Sequence, residues 1–476
     1  MGQFFTPAPI ASLLAGMFDP PVGPARLLDA GAGVGSLTAA LAARADSEQW
    51  SATIETLAVE VDEDLIPALK ETLSECETAA RTISCRLDVA DFIEWGCEQL
   101  RLGSSSVGAQ RFELAILNPP YRKLNTASRE RRLLSEVGIE TTNLYAAFVA
   151  LAARLLVPGG QLVAITPRSF CNGPYFKAFR RELLGACAIR RIHVFESRDK
   201  AFRDVAVLQE NVIIHIAKGA AQGEVVIASS DGSGAAAVSE RSVPFSRVVY
   251  SSDPDLFIHV VPNEADSGVA ARISSLSAQL GDLDASVSTG RVVDFRAREH
   301  LRMDAGDRDT VPLLYPLNLR EGRIRWPSLN GKKAQAIVAS HATKQLLLPV
   351  GNYVLVKRFS SKEERRRIVA TVLEADDLAS DEVAIENHIN VFHRRNAGLS
   401  ADLAWGIASY LNSTIVDVFF RQFNGHTQVN ATDLRSLHYP SSEQLVSLGV
   451  AARSTVHEQT AIDALVESIV PELVKP

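Results

Sequence analysis

The sequence predicts an α/β fold, a doubly wound, Rossmann-like sheet with helices on both faces, followed by a second domain of different texture. Three observations predict it. Short apolar runs alternate with helical patterns through the first half, a glycine-rich turn, Asp29-Ala-Gly31-Ala-Gly33-Val-Gly35, follows the first run, and an acidic residue, Glu60, closes the second. Apolar runs without polar alternation are what strands covered on both faces require.

Taken in order, Arg26 to Ala30, Thr56 to Val61, Leu114 to Leu117 and Gln161 to Thr166 read as buried parallel strands, with helical spacing between them, as from Leu144 to Leu156. Val212 to Ala217 reads as a late strand that closes the sheet. Gly219 to Glu240, rich in Gly, Ala and Ser, reads as a linker or loose surface hairpin. The expected domains are therefore 1–240 and 241–476, consistent with a chain of 476 residues, too long for one ordinary core. In the second half, Tyr353 to Lys357 and Arg367 to Glu374 read as a β-hairpin around the charged turn Arg358 to Arg366. A helical pattern starts at Ser400, a candidate N-cap, and runs through Leu403, Ile407, Leu411 and Val418.

The balance of 46% hydrophobic and 22% charged residues belongs to a folded globular chain and excludes a disordered or fibrous one. Cys76, Cys85, Cys97, Cys171 and Cys187 show no Cys-x-x-Cys spacing and no histidine pair nearby, so no metal and no disulfide scaffold is expected, and the reducing cytosol is. The N-terminus lacks a basic segment followed by a long apolar one, and no run nears the ~20 apolar residues of a membrane span, so neither export nor insertion is expected. Net charge is −7, but residues 291–370 carry 17 Lys/Arg against 8 Asp/Glu, leaving −16 for the rest. A polyanion-binding face shows this asymmetry, as does a solvated charged surface.

Glycines let backbone approach a ligand closely, and a helix N-terminus offers free N–H groups. Such a turn also serves tight packing, and a nicotinamide or flavin nucleotide could sit on it. Two acidic positions narrow the reading. Glu60, in Ala58-Val59-Glu60-Val61-Asp62, stands where a carboxylate can accept both hydroxyls of a ribose. Asp91-Phe92 follows a third strand candidate, where the carboxylate could bond an adenine amino group and the ring could cover the base. Each alone is equally a helix cap or a surface charge; together, ahead of Asn118, they describe a pocket for S-adenosylmethionine.

The strand Leu114 to Leu117 stops at Asn118-Pro119-Pro120-Tyr121. A residue before proline is pushed to extended geometry and Pro119 has a fixed φ, so Asn118 and the Pro119 carbonyl are held at the strand's carboxyl end, where open α/β sheets bind ligands. The amino group of adenine or cytosine is a poor nucleophile, because its lone pair is delocalised into the ring. Two acceptors aimed at its hydrogens favour the pyramidal nitrogen, and Tyr121 can stack on the base. A proline-stiffened turn alone explains the prolines but not Asn118 and Tyr121 together.

With these residues the chain resembles the gamma class of S-adenosylmethionine-dependent amino-methyltransferases, the adenine-N6 DNA methyltransferases of bacterial restriction-modification systems. Gln3-Phe4-Phe5-Thr6-Pro7, the glycine turn, Val-Glu-Val-Asp, Ala-Asp-Phe and Asn-Pro-Pro-Tyr occur in that family's order, followed by Asn143-Leu144-Tyr145 and Leu155-Leu156-Val157-Pro158-Gly159-Gly160. The resemblance covers about the first 220 residues and implies a class I methyltransferase sheet with a C-terminal mixed α+β target recognition domain. It implies Thr6, Asp29, Gly31, Glu60, Asp91, Phe92 and Pro120 around the cofactor, and Asn118, Pro119 and Tyr121 on the target base. The family's second base-holding aromatic falls on Phe176, with Tyr175 as the competing choice. Looser similarity covers Val287 to Phe295 and Gly425 to Arg435.

Double-stranded DNA is the implied partner, with Arg122, Lys123, Arg291, Arg365, Arg366, Arg367, Gln428 and Asn430 as candidate contacts. No nuclease motif is visible, so a separate cognate endonuclease is expected, as are a monomer or weak dimer and a place in the bacterial cytoplasm, at the nucleoid. Two other readings share features of the sequence: a methyltransferase acting on a protein glutamine amide, and a non-catalytic DNA-specificity subunit.

Overall fold

The runs expected as two-faced strands divide their side chains between two cores. Leu27, Leu114, Ile116, Val163 and Ile165 face one cluster, while Leu28, Ala115, Leu117, Leu162 and Ala164 face the other. The computed structural model describes residues 6–103, 110–195, 210–231, 238–251, 253–261, 267–320, 322–328, 332–360, 364–424, 428–454 and 458–474. The chain divides into two compact units, Met1–Pro262 with Phe423–Gly425, and Asn263–Gln422 with His426–Pro476.

The first unit is built on α1 (Ala8–Ala15), β1 (Ala25–Ala30), α2 (Ser36–Ser47), β2 (Ile54–Glu60), α3 (Ile66–Ala79), β3 (Ile83–Val89), α4 (Phe92–Leu102), β4 (Phe112–Leu117), α5 (Arg129–Glu136), α6 (Leu144–Leu155), β5 (Leu156–Pro167), α7 (Lys177–Ala186), β6 (Cys187–Phe195), β7 (Asn211–Lys218), β8 (Glu224–Ser230) and β9 (Ser239–Pro244). The strands form one nine-stranded sheet in the order β3-β2-β1-β4-β5-β7-β6-β8-β9. β3 to β5 are parallel, and the order reverses between β1 and β4, the position at which doubly wound sheets open a crevice. Ile10, Leu14 and Phe18 close one face with α2, while α6, buried along its length except at Arg154, closes the other.

Three expectations are corrected. Val212 to Ala217 does not close the sheet: β7 lies inside it, antiparallel to both β5 and β6, which is why nearly all its residues are buried. Gly219 to Glu240 is neither a linker nor loose: β8 within it does pair antiparallel with β9, but it also pairs with β6 and carries four successive buried residues, Ile227 to Ser230. Small side chains were mistaken for looseness; here they are buried in a paired strand. The expected boundary at 240 also falls inside β9, and the first unit continues to Pro262.

The second unit holds a four-stranded antiparallel sheet, in the order Ser286–Thr289, Ile389–His393, Tyr353–Lys357, Ala370–Leu373, and a five-stranded mixed sheet. The expected hairpin is present, Tyr353–Lys357 pairing with Ala370–Leu373; residues 361–363 of its turn lie outside the described ones. Its helices are α8 (Ser267–Ser274), α9 (Asp294–Ala297), α10 (Ala401–Leu411), α11 (Thr414–Phe423), α12 (Ala431–Arg435), α13 (Ser442–Arg453) and α14 (Gln459–Ile469). Ser400 caps α10 through its hydroxyl, and the helical pattern breaks after Leu411, so Val418 belongs to α11. α10 and α13 cross at glycines: a Cβ on Gly406 would lie 1.9 Å from the Leu445 carbonyl oxygen, and one on Gly449 would lie 1.7 Å from that of Asp402. Among the described residues no single helix is long and apolar enough to cross a membrane.

One buried cation organises the chain after β5. Arg180 on α7 is 0% exposed. It donates to the carbonyls of Phe170 and Gly173 at 2.8 and 2.9 Å and to that of Asp255 at 2.9 and 2.8 Å. Arg180→Met keeps the apolar stem but leaves buried carbonyls unpaired at about 1–3 kcal/mol each. A loss of several kcal/mol is therefore expected in urea unfolding of the first unit. An unchanged midpoint would show that the carbonyls find other partners.

Candidate active site

The crevice at the β1/β4 reversal begins with the glycine turn. Gly31 has φ +73°, and a Cβ there would lie 3.3 Å from the Phe148 ring; at Gly35, φ +84°, it would meet Leu69 and Thr72 at 3.0 Å. The turn is tied to the end of β2 by Glu60, which is 2% exposed. One carboxylate oxygen accepts the Gly33 N–H at 2.8 Å, and the other accepts those of Val61 and Asp62, both at 2.8 Å. A buried carboxylate persists only with such donors. A carboxylate offers about four lone-pair sites, so these three bonds leave capacity for a hydroxyl.

Asp29 is 0% exposed and does not line the cavity. Oδ2 accepts the Thr38 hydroxyl at 2.6 Å, while Oδ1 is buried without a hydrogen-bond partner. Burial pushes its carboxyl up to about 6, the Thr38 hydrogen bonds hold it back, and the Glu60 charge adds a smaller push. Asp91 caps α4: its Oδ1 accepts the N–H groups of Ile93 and Glu94 at 2.9 and 3.1 Å. The cap and the cavity are compatible, since Asp91 also lines the crevice. Phe92, 3% exposed, stacks on Trp95 at 6.0 Å and tilts against Phe148 at 4.8 Å.

Gly31, Gly33, Glu60, Asp91, Phe92, Asn118 and Pro120 all line one cavity of about 440 Å³, within the ~300–1,000 Å³ of small-molecule sites. It thus joins the glycine turn, the β2 carboxylate and the β4 amide, which stand far apart in sequence. Phe148 and Arg122 line it too, and Phe148 is a residue the sequence reading did not single out. Its signal was an aromatic one turn beyond Leu144 on an otherwise small-residue helix. A buried carboxylate and a flat apolar wall fit a nucleoside, and the positive-φ glycines let the protein backbone approach it closely.

At the end of β4, the Asn118 side-chain amide donates to the Thr6 hydroxyl at 2.8 Å. The Tyr121 phenol makes long contacts of 3.4 Å to Asn118 Oδ1 and to the Ile165 carbonyl. Burial raises the Tyr121 phenol above its ordinary range, so it stays protonated. Its ring meets Tyr145 edge-on at 6.1 Å, and Tyr145 tilts against Phe176 at 5.4 Å. Phe176 is 4% exposed, with Tyr145 between it and Tyr121, whereas Tyr175 is 71% exposed. Tyr145, held by Ser169 at 2.9 Å, is the aromatic the sequence quoted but gave no role. Gln3 to Phe5 lie outside the described residues.

The basic candidates separate by what they touch. Arg122 pairs with Glu130 at 2.9 Å, and Lys123 and Arg365 are exposed. Arg367 is corrected: it is 2% exposed, its Nε donates to Ser360 Oγ at 3.2 Å, and its guanidinium lies 6.0 Å from the Phe420 ring centre. Arg366 donates to the Asn412 carbonyl, and Arg291 donates to the carbonyls of Gln345 and Leu347 and to Asn396. Charge content cannot distinguish a solvated guanidinium from one spent on carbonyls. Gln428 bridges Phe359 through its backbone, and Asn430 caps α12 in a box with Asp433. Among the described residues no group of three His, Cys, Asp or Glu could hold a metal.

The raised Asp29 carboxyl has a pH consequence. The folded state holds this proton more tightly than the unfolded one, so its contribution favours folding at low pH and is lost as pH rises from the ordinary carboxylate range through about 6. Asp29→Asn should therefore gain stability relative to the parent between pH 4 and pH 7.5, by roughly 2–3 kcal/mol. Urea unfolding at both pH values measures it, and a pH-independent difference would show that Asp29 ionises alike in both states.

Residues 42–202 match the family model of the Eco57I restriction-modification methylases. The chain is 44% identical to the Type II methyltransferase M.PstI of Providencia stuartii over 98% of this chain and 92% of that protein. It is also 44% identical to M.BsuBI of Bacillus subtilis, over 98% and 94%. The tRNA1(Val) (adenine(37)-N6)-methyltransferase of Cronobacter sakazakii is 30% identical over 33% of this chain and 57% of its own. Among solved structures, the type IIG restriction endonuclease BpuSI aligns with 99% of this chain and 65% of its own, at 13% identity and a TM-score of 0.46. At 44% identity over nearly the whole length of both relatives, the chain belongs to the type II DNA methyltransferases of restriction-modification systems.

Proposed function

We propose that the protein methylates the N6 amino group of an adenine within a specific double-stranded DNA sequence, using S-adenosylmethionine and rotating the target base out of the helix. The observation that carries this reading is the Asn118 amide on the wall of the Glu60 cavity, with Tyr121 in contact with it. The adenine-N6 activity named for the tRNA relative, whose similarity covers 33% of this chain, supports the choice of base.

When bound, S-adenosylmethionine supplies a methyl group on a positively charged sulfur. The chain's own residues do the rest. Glu60 accepts a ribose hydroxyl at the lone-pair site its three backbone donors leave, Asp91 meets the adenine amino group of the cofactor with the oxygen not spent on its cap, and Phe92 and Pro120 cover the ring. The Gly31 turn gives backbone room, and Asp29 supports that turn from within. Asn118 Oδ1 and the Pro119 carbonyl accept the two hydrogens of the target amine, which concentrates its lone pair on nitrogen. These bonds strengthen as that nitrogen becomes pyramidal, so they act mainly on the chemical step. Tyr121 stacks on the extruded base. Phe176 acts behind it by fixing Tyr145, a positioning role rather than the direct contact first expected. Arg122, Lys123 and Arg365, each exposed, meet phosphates of the duplex, and Gln428 is the side chain offered to a base edge. Arg291, Arg366 and Arg367 hold the second unit together. A separate endonuclease would cut the same sequence when unmodified.

Tritium transfer to DNA amplified enzymatically from a whole bacterial genome, followed by nucleoside digestion, tests the reaction. N6-methyladenine is expected, and methylcytosine would refute the choice of base. Asn118→Ala should leave DNA binding near the parental level and lower the single-turnover rate by about a hundred-fold or more. Tyr121→Ala should weaken the flipped state by about 1–3 kcal/mol, read by 2-aminopurine fluorescence at the target position. Glu60→Gln should weaken cofactor affinity about ten- to a hundred-fold in calorimetry. Arg365→Ala should reduce the salt dependence of DNA binding by about one counterion; an unchanged slope would place it away from the duplex.

A further inference from the structure

We infer that His388 is a specificity-determining residue of the second unit, its imidazole aimed by the buried Glu386 so that Nε2 accepts a hydrogen bond from an exocyclic amino group on a base edge in the major groove. The inference rests on the reading that this unit binds duplex DNA.

A carboxylate buried in a protein is costly unless donors meet it. Glu386 is 2% exposed, and it turns both oxygens to one residue: Oε2 accepts the His388 backbone N–H at 2.9 Å, and Oε1 lies 2.5 Å from His388 Nδ1. A carboxylate accepts, so the ring proton sits on Nδ1, and in the neutral ring Nε2 is left as an acceptor. The His388 side chain is nevertheless 49% exposed. The backbone bond alone would steady the turn; the second bond serves only to orient a half-exposed ring. Phe359, itself 46% exposed, packs against that ring with its centroid 5.0 Å away at 54°. The two rings form a small ledge whose polar atom has a set direction.

The sequence explains how the ledge is assembled. Asn387 and His388 are the central residues of a turn between the strands Glu382–Ile385 and Ile389–His393, closed by the Ile389 N–H on the Glu386 carbonyl at 3.1 Å. Gly290 runs directly against this turn: a Cβ there would lie 2.2 Å from the Glu386 carbonyl oxygen, and its N–H donates to the Ile389 carbonyl at 2.8 Å. Arg358 holds the turn from the other side, its N–H on the His388 carbonyl at 2.9 Å and its guanidinium on that of Asn387 at 3.2 Å. Gln428 bridges Phe359 through its backbone, and the Val429 N–H donates to the Arg358 carbonyl at 2.7 Å. The two segments of looser family similarity, around Gly290 and around Gln428, thus meet at His388, which neither contains. In the major groove the donors on base edges are the amino groups of adenine and cytosine, and these are the partners an accepting Nε2 can read.

The full-length protein, expressed in a host without adenine methylation, should mark one sequence motif, read by long-read sequencing of the host DNA. His388→Phe keeps a flat ring against Phe359 and removes both nitrogens. It should relax a single base pair of the motif, raising methylation of sites changed there by about ten- to a hundred-fold over the parent, with the other positions still strict. Glu386→Gln should relax the same base pair, because one amide oxygen cannot serve both His388 N–H groups. At that base pair, outside the flipped adenine, an analogue lacking the amino group (purine for adenine, 2-pyrimidinone for cytosine) should slow the parent's single-turnover rate about ten-fold and that of His388→Phe by less than about threefold. An unchanged motif in His388→Phe, relaxation spread evenly over the motif, or an equal loss from the analogue in both proteins would each overturn the inference. His388→Ala, judged on the same motif, takes the place of His388→Phe if its melting temperature shows that the larger ring is not accommodated. Failure of the underlying reading would show separately, as a parent protein that marks no motif.

Discussion

A carboxylate taken out of water must be repaid with donors, and in this protein the repayment builds the cavity. Glu60 is buried at the end of β2 and draws in the backbone N–H of Gly33 from one loop and those of Val61 and Asp62 from the next. Two loops that follow different strands are thereby locked to a single side chain. The left-handed turns at Gly31 and Gly35, and the approach of Phe148 to the first of them, are tolerable because this anchor fixes the path. Asp29, the neighbouring buried carboxyl, has only Thr38 and an unpaired oxygen, and responds by holding its proton more tightly. Two acids of similar burial are thus held differently: three backbone amides meet Glu60, and Thr38 alone meets Asp29.

Both units place guanidinium groups inside, by different means. Arg180 is satisfied by carbonyls and fastens the chain after β5, and Arg367 lies between Ser360 and Phe420 within the second unit. Arginine suits such places because its charge is delocalised and its five donors are fixed in direction. A lysine could not serve either site as well.

How much was legible in the sequence follows from these cases. β1, β2, β4 and β5 were readable because both faces of each are covered, which writes an unbroken apolar run. The cavity residues were readable because they sit at strand ends, in the order that a β1/β4 reversal requires. β8 was not, since small residues signal a loop and a tightly packed strand alike, and the sideways insertion of β7 is decided by pairing partners that no local pattern records. Arg367 looked like surface because a count of charges contains no burial. Phe176 was chosen by spacing from the Pro-Gly-Gly strand, and spacing could not show that Tyr145 stands between it and Tyr121. Asp91 was read as a ligand contact or a cap, and its carboxylate is large enough to be both.

The crossing of α10 and α13 constrains variation within the second unit. Where Gly406 faces the Leu445 carbonyl and Gly449 faces that of Asp402, backbone meets backbone with no side chain between. No single substitution can loosen that joint gradually: even one methyl group forces the two helices apart along their length. Randomising this unit should therefore leave the two glycines untouched and spend its diversity on loops and exposed strand faces, where a side chain displaces only solvent. The joint is a hinge pin in the mechanical sense, small, featureless and unable to wear slowly.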